Sequence, residues 1–488
     1  MTDLHELDAT DQADLLRRRE VSSVELVGHH LERVDSIGPG LGAFVTVTAD
    51  EALSAAAEAD RRLASGDLAS LLGVPTAVKD LTATAGVRTT MGSALMADHV
   101  PDVDAHVVTL VRAAGLVSLG KTNTPEFGLS SYTDNDVVGP ARTPWDPRRT
   151  AGGSSGGAAA AVAAGLVPLA LGSDGGGSIR IPASCCGVVG FKPTRGRVSA
   201  GPLGSEWSGL AGDGPLSRSV RDAAALLDVL AVPMPGDTRT LPVVPPTFTE
   251  WTRREPGHLR IARWDDPYLP GIEASPESVA AWEHASRVLV DLGHEVVDVD
   301  GPFPAELEPQ FNRVWSSGMA AAPVPQQAEH LLRATTRYWR ERGAEVSGAE
   351  LAAALQLLES TCRDVLVRMH GFDAWLTPTL ALPPPAVEWF ESDGDPAAAH
   401  RRELEFTPYT AVYNMAGVPA VSLPLHVTEA TSSRPALPVG VMLAGRPYGD
   451  GPLLSLAAQV EQAAPWSHRR PPVTTQPPAD HRGTAGTA

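Results

Sequence analysis

The chain has 488 residues, of which 43% are hydrophobic, and a formal net charge of −19 at pH 7 from 39 basic and 58 acidic residues. That charge argues against nucleic-acid binding, because phosphate contacts need a basic surface, and it favours solubility. No apolar run reaches transmembrane length, so no membrane is expected as a partner.

The N-terminus, Met1-Thr2-Asp3-Leu4-His5-Glu6, lacks the basic start and apolar core of a signal peptide. Three cysteines suggest a reducing compartment, and a cytoplasmic location is expected. Cys185-Cys186 are adjacent and lack metal spacing, and no H-x-x-x-H pair suggests zinc, so neither metal nor cofactor is expected.

In chain order, amphipathic helices fit residues 13–19, 24–37, 50–64 and 105–114, with a strand at 116–119 after the last. Residues 73–78, Gly-Val-Pro-Thr-Ala-Val, read as a short apolar strand ending at Lys79. The alanine run 158–164 reads as a helix and Val167-Pro168-Leu169-Ala170-Leu171 as a buried strand. Such alternation suggests α/β layering. Residues 235–405 are less diagnostic, with Pro-rich turns at 242–246 and 383–385 and a helix end, turn and strand across 288–299. The Pro-rich tail from Arg469 reads as disordered.

Two glycine–serine runs carry chemistry: Gly152-Gly153-Ser154-Ser155-Gly156-Gly157 and Gly172-Ser173-Asp174-Gly175-Gly176-Gly177-Ser178-Ile179-Arg180. Glycine lets backbone N–H groups turn toward a ligand, and a serine closing such a run sits where those donors can hold a developing negative charge. A flexible linker would not alternate with buried-looking helix and strand segments, and a phosphate loop would need a lysine after its last glycine. Gly153-Ser154-Ser155-Gly156-Gly157 also fits G-x-S-x-G, a nucleophile elbow with Ser155 as nucleophile, although the preceding residues 145–150 read as turn rather than strand.

Lysine is scarce: only Lys79, Lys121 and Lys192 occur among the 39 basic residues. Arginine stays charged in proteins, whereas a buried lysine can lose its proton and act as a base. Lys79, at the end of an apolar strand, is the best candidate for that role; Lys121 and Lys192 are expected to be structural.

Gly73-Val74-Pro75 leading to Lys79-Asp80, then Gly120-Lys121-Thr122-Asn123 and Pro125-Glu126-Phe127, the two glycine–serine runs, and residues 187–194 (Gly-Val-Val-Gly-Phe-Lys-Pro-Thr) together resemble the amidase signature family. The likeness is dense from about 70 to 230 and resumes at 408–420 and 438–443. It implies a large mixed, twisted central α/β sheet surrounded by helices. Length alone would suggest about three domains, but the matched motifs imply a single unit over 1–468. Within it, a helical segment spans about 1–65, the signature core about 70–230 and a variable pocket region about 235–405, followed by a disordered tail at 469–488.

The resemblance implies a Ser–cis-Ser–Lys triad: Ser178 as nucleophile, Ser154 after a cis peptide bond as bridging serine, and Lys79 as base. The N–H groups of Gly175, Gly176, Gly177 and Ser178 would form the oxyanion hole. Ser155, Asp174 and Arg180 would support them, Ser155 by hydrogen bonding within the relay. The loop residues Leu129, Ser130, Ser131 and Tyr132 would bind substrate, and Trp315, in the variable middle, reads either as a further substrate-binding residue of the pocket or as a core tryptophan. Gly175 stands where relatives commonly carry Thr or Ile, implying more room beside the nucleophile, and Met442 where glutamine is common.

The activity implied is hydrolysis of small-molecule amides, and of esters or carbamates, in the manner of cyclic-amide, aryl-amide and urethane hydrolases, by a homodimer. The alternatives are the glutaminase subunit of a tRNA-dependent amidotransferase, which usually carries Tyr where Arg195 stands, and an esterase acting through Ser155.

Overall fold

The computed structural model describes residues 3–204, 207–242, 245–432 and 434–472. The chain opens with α1 (Ala9–Arg18), α2 (Ser23–Leu41), β1 (Phe44–Val47) and α3 (Ala49–Ala64). Next come β2 (Pro75–Lys79), α4 (His106–Ala113), β3 (Val117–Thr122), α5 (Gly156–Ala163), β4 (Leu169–Asp174) and α6 (Arg180–Cys186). They are followed by β5 (Val189–Lys192), β6 (Gly212–Ser217), α7 (Val220–Leu230), α8 (Phe248–Trp251), β7 (Arg260–Arg263), α9 (Pro276–Asp291) and β8 (Glu295–Asp298). Four helices and a strand complete the middle: α10 (Leu307–Ala321), α11 (Ala334–Ala344), α12 (Gly348–Arg368), β9 (Ala374–Pro378) and α13 (Pro396–Phe406). The chain then runs through α14 (Ala411–Ala416), β10 (Ala420–Val427), β11 (Pro438–Gly445) and α15 (Asp450–Ala463).

The strands form one mixed sheet of 11, in the order β1-β3-β2-β4-β6-β5-β10-β11-β9-β7-β8. β2 runs parallel to both β3 and β4, and β9, β7 and β8 are mutually parallel along the order; the pairs between β4 and β9 are antiparallel.

Strand periodicity divides the core. Val78, Leu169, Leu171, Val421, Leu443 and Leu376 face one hydrophobic layer, covered by residues of α7, α9 and α15. Their neighbours Ala77 and Ala170 point to the opposite face, under the alanines of α5. Ala420, Met442 and Trp375 point to that same side further along, where α10, α12 and α14 pack. Small residues in α5 allow an unusually close approach: a Cβ on Gly157 would sit 2.3 Å from the Asn123 backbone nitrogen.

Local signals explain several boundaries. Ser22 and Glu25 close α2 with a reciprocal capping box, and α9 starts at Ser275 with Pro276 in its first turn. The tail begins later than its composition suggests, because Arg469 donates to the Pro424 carbonyl and Arg470 pairs with Glu6. The rest of the expected tail, from 473 on, lies outside the described residues.

Candidate active site

The parallel strands β2 and β4 deliver their carboxyl ends to one crevice, the usual place for a ligand in a parallel sheet. Val78 lies opposite Leu171 in the ladder, which brings Lys79 beside Ser173. The Lys79 amine is fully buried and donates to Ser154 Oγ at 2.7 Å, Ser173 Oγ at 3.0 Å and the Ser173 carbonyl at 3.4 Å. Burial drives its pKa from 10.5 down to about 7, against the opposing charges of Asp213 and Asp174. The Gly153–Ser154 peptide bond is cis. Gly153 is closely covered, since a Cβ there would come within 2.6 Å of the Tyr132 backbone.

The glycine run after β4 is held by its own aspartate. Asp174 and Arg180 are both fully buried and form a bidentate pair, with Nε–Oδ2 and Nη2–Oδ1 distances of 2.9 Å. Burial alone would raise the Asp174 pKa, but the Arg180 guanidinium outweighs it and holds the carboxyl well below the usual range. Asn414 Nδ2 also donates to Asp174 Oδ1, and its Oδ1 accepts from Arg180 at 2.6 Å. Arg180 reaches the Thr410 carbonyl and the Met442 thioether as well. Met442 therefore serves as an acceptor for the guanidinium.

One donor of the expected oxyanion hole is already engaged. Gly177 N–H points to Asp174 Oδ1 at 2.7 Å, while among the described residues no such bond takes the N–H groups of Gly175, Gly176 or Ser178. Gly177 is therefore removed from the expected set; its φ of +132° suits glycine because it turns the chain inside the aspartate's grip.

The space expected beside Gly175 is filled. A Cβ on Gly175 would lie 3.0 Å from the Trp315 ring, and one on Gly176 would lie 3.1 Å from Phe311. These two rings stack on each other, with centroids 5.4 Å apart.

Ser178 opens onto a cavity of about 80 Å³ lined by Leu129, Ser130, Ser131, Trp315 and residues of α10, α11, α13 and α14. One water needs roughly 10–15 Å³ on this measure, so the cavity has room for about five to eight waters. Tyr132 does not line it. Its ring stacks on Phe390 at 4.3 Å and its hydroxyl donates to Glu391 at 2.6 Å, which makes it a wall support rather than a substrate contact.

Ser155 is fully buried, and its Oγ donates to the Ser173 carbonyl at 3.2 Å and accepts from Ser173 N–H at 3.3 Å. It thus braces β4 and stands outside the Lys79–Ser154 contact. No strand leads into it; the preceding stretch makes only isolated bridges, Arg142 to Thr150 and Arg149 to Ala386. The elbow reading of Ser155 therefore fails.

Lys121 donates to the Thr82 carbonyl and to the hydroxyls of Thr84 and Thr89, at 2.9 and 3.0 Å for the hydroxyls. Lys192 is buried as well and donates to the Pro193 carbonyl at 2.8 Å. Cys185, Cys186 and Cys362 are free and buried. Among the described residues no group of three His, Cys, Asp or Glu is placed to hold a metal ion, and no helix is long and apolar enough to cross a membrane.

A family model described as Amidase matches residues 25–454. The chain belongs to the amidase signature family. It is 40% identical over 485 residues to a putative amidase, AmiB2, of Mycobacterium tuberculosis, covering 97% of this chain and 99% of that protein. Among solved structures, a 6-aminohexanoate cyclic dimer hydrolase complexed with substrate superposes with a TM-score of 0.86 at 33% identity, over 97% of this chain and all of that one. A bacterial aryl acylamidase of the amidase signature enzymes superposes at 0.84 with 30% identity, over 95% and 97% of the two chains. The protein is thus an amidase-family hydrolase acting on amides, built on the mixed α/β sheet these structures share.

Several residues of this amidase site escaped the sequence reading. Ser173 holds the Lys79 amine, and Asn414 and Thr410 hold the glycine run, Thr410 Oγ1 donating to the Gly176 carbonyl at 2.6 Å. Ser173 lies inside the quoted run and faces Lys79 through strand pairing, which was the one signal available. Glu308, Asn312, His400 and Glu403 sit on α10 and α13 in the variable middle, with no motif to mark them.

Proposed function

We propose that this protein hydrolyses small-molecule amides through an acyl-enzyme formed on Ser178, with Ser154 as proton relay and Lys79 as base. The observation that carries the reading is the 2.7 Å contact between the buried Lys79 amine and Ser154 Oγ, at a lysine whose pKa is lowered to about 7. At that pKa a large fraction of the amine is neutral near pH 7 and able to accept a proton.

In this sequence of steps Ser154 gives its proton to Lys79 and takes one from Ser178, as the Ser178 oxygen bonds to the carbonyl carbon. The carbonyl electron pair moves onto oxygen, facing the N–H groups of Gly175, Gly176 and Ser178. Loss of one such donor typically costs about 10²–10³ in rate. Collapse expels the nitrogen, which takes the proton passed back through Ser154 and so leaves as a neutral amine. Water repeats the relay to release the acid and restore Ser178.

Asp174 sets the shape of the donor run by holding Gly177 N–H and, at 3.2 Å, Ile179 N–H. Residues 1–468 act as one unit in this reading, supported by a single sheet containing strands from Phe44 to Gly445.

The relatives named above widen the substrate field to cyclic and aryl amides, and esters and carbamates share the same electrophilic carbon. A panel of anilides, aliphatic amides, cyclic amides, carbamates, esters and glutamine tests it. Turnover of amides that disappears in Ser178→Ala is expected, with a serine-directed acylating reagent labelling Ser178. Full activity in Ser178→Ala overturns the mechanism, and glutamine-specific ammonia release would point instead to a glutaminase subunit.

A further inference from the structure

The cavity that Ser178 opens onto is lined by charged as well as apolar groups. α10 contributes Glu308 and Asn312 and α13 contributes His400 and Glu403, at helical spacings that put each pair on one face. Two carboxylates line the space, and neither Lys nor Arg does.

The two acids differ in what they meet. Glu308 is tied to Asn312, and it lies 3.7 Å from His400 Nε2, which offsets its charge when protonated. Glu403 accepts a hydrogen bond on Oε2 from Ser131 N–H at 2.8 Å, the Ser131 hydroxyl lies close enough to stabilise its charge as well, and it forms no salt bridge with Lys or Arg among the described residues. Burial raises its pKa, while the nearby His400 opposes that shift. Glu403 is half-buried, and a carboxylate taken partly out of water is costly unless a positive partner or several donors satisfy it. Ser131 Oγ is buried on the same cavity wall, beside Glu403 but outside well-formed hydrogen-bond geometry with it, so it keeps lone pairs free to accept. Four aromatic residues, Tyr268, Phe311, Trp315 and Trp339, line the cavity together with aliphatic and small residues such as Leu129, Ile181 and Leu404. Aromatic faces attract cations as well as apolar chains.

We propose that this cavity selects substrates whose amide is joined through an apolar stretch to a protonated amine, and that Glu403 receives the ammonium group. Tyr268, Phe311, Trp315 and Trp339 pack the apolar stretch, and Ser131 Oγ accepts a second N–H from the ammonium. The proposal rests on Ser178, which lines the same cavity, being the reacting residue.

The test separates binding from turnover. Binding of n-alkylammonium ions and of the matching n-alkanols to the full-length Ser178→Ala protein is measured by calorimetry. The ammonium series is expected to bind roughly tenfold more tightly or better, as for hydrogen bonds to a charged group. In Ser178→Ala/Glu403→Gln that ratio is expected to fall close to one. Equal binding of the two series, or a ratio that survives Glu403→Gln, overturns the proposal; the first comparison stands even if the double variant does not fold.

In parallel, kcat/KM is compared for anilides of ω-amino acids and of the alkanoic acids in which a methyl replaces the ammonium. The amino series is expected to be favoured about tenfold, and a preference for the alkanoyl series overturns the assignment. Activity persisting in Ser178→Ala would defeat the catalytic reading instead, leaving the binding comparison to decide this one.

Discussion

Lys79 Nζ lies 2.7 Å from Ser154 Oγ in a fully buried setting, so the one amine able to drive the proposed relay has no direct contact with solvent. Its protonation state sets the direction of proton flow. Below pH 7 the amine holds its proton and cannot accept another from Ser154; above it the base is free. The expected outcome is a kcat/KM that rises through about pH 7 and levels off above. A profile flat between pH 5.5 and 8.5 would count against Lys79 as the base. Lys79→Arg keeps the charge and is expected to be inactive, because guanidinium does not release its proton in this range.

Ser178 and Ser155 separate on opposite measurements. Ser178→Ala is expected to lower kcat by at least about 10³-fold with little change in stability. Ser155→Ala loses two hydrogen bonds to Ser173, and is expected to cost about 1–2 kcal/mol of unfolding free energy with activity falling less than tenfold. Denaturant melts alongside kinetics check both. The reverse pattern would restore Ser155 as nucleophile.

The Asp174–Arg180 pair is the other buried electrostatic commitment of the site. Arg180→Ala leaves a carboxylate fully buried without its main partner, so a loss of about 3–5 kcal/mol is expected in chemical denaturation. The Gly177 and Ile179 N–H groups depend on the same carboxylate, so kcat should fall in whatever protein remains folded. Unchanged stability in Arg180→Ala would show that the pair is not the anchor described.

What the sequence made legible was whatever local chemistry constrains tightly. Lys79 at the end of an apolar strand, the glycines before Ser154 and Ser178, and the alanine helix α5 each carry their reason within a few residues. The role of Gly177 did not, because it depends on which way the Asp174 side chain turns. Tyr132 was misplaced for the same kind of reason: loop position said pocket, while Phe390, 258 residues further along the chain, captured its ring. Glu403 and Glu308 carry no local mark at all. Only the packing of α10 against the neighbourhood of α13 brings them to one cavity.

Gly175 and Trp315 act as one steric unit. A Cβ 3.0 Å from the indole forces one of them to move, so Gly175→Thr alone is expected to lower kcat/KM by about tenfold or more. Trp315→Ala in the same chain should return much of that loss, giving a coupling of roughly 0.5–3 kcal/mol in a double-mutant cycle. Additive effects would show that the ring and the glycine run do not constrain each other.

All three lysines lie inside the molecule, at 0, 1 and 4% exposure for Lys79, Lys121 and Lys192. The folded surface therefore offers amine-directed chemistry no lysine. Reagents such as activated esters should find no accessible lysine on the native protein, and immobilisation through lysine should fail. Unfolding exposes three reactive amines at once. Acylation of those lysines, counted by mass, would thus report loss of the native state, and one of the three labels would fall on the base of the proposed relay.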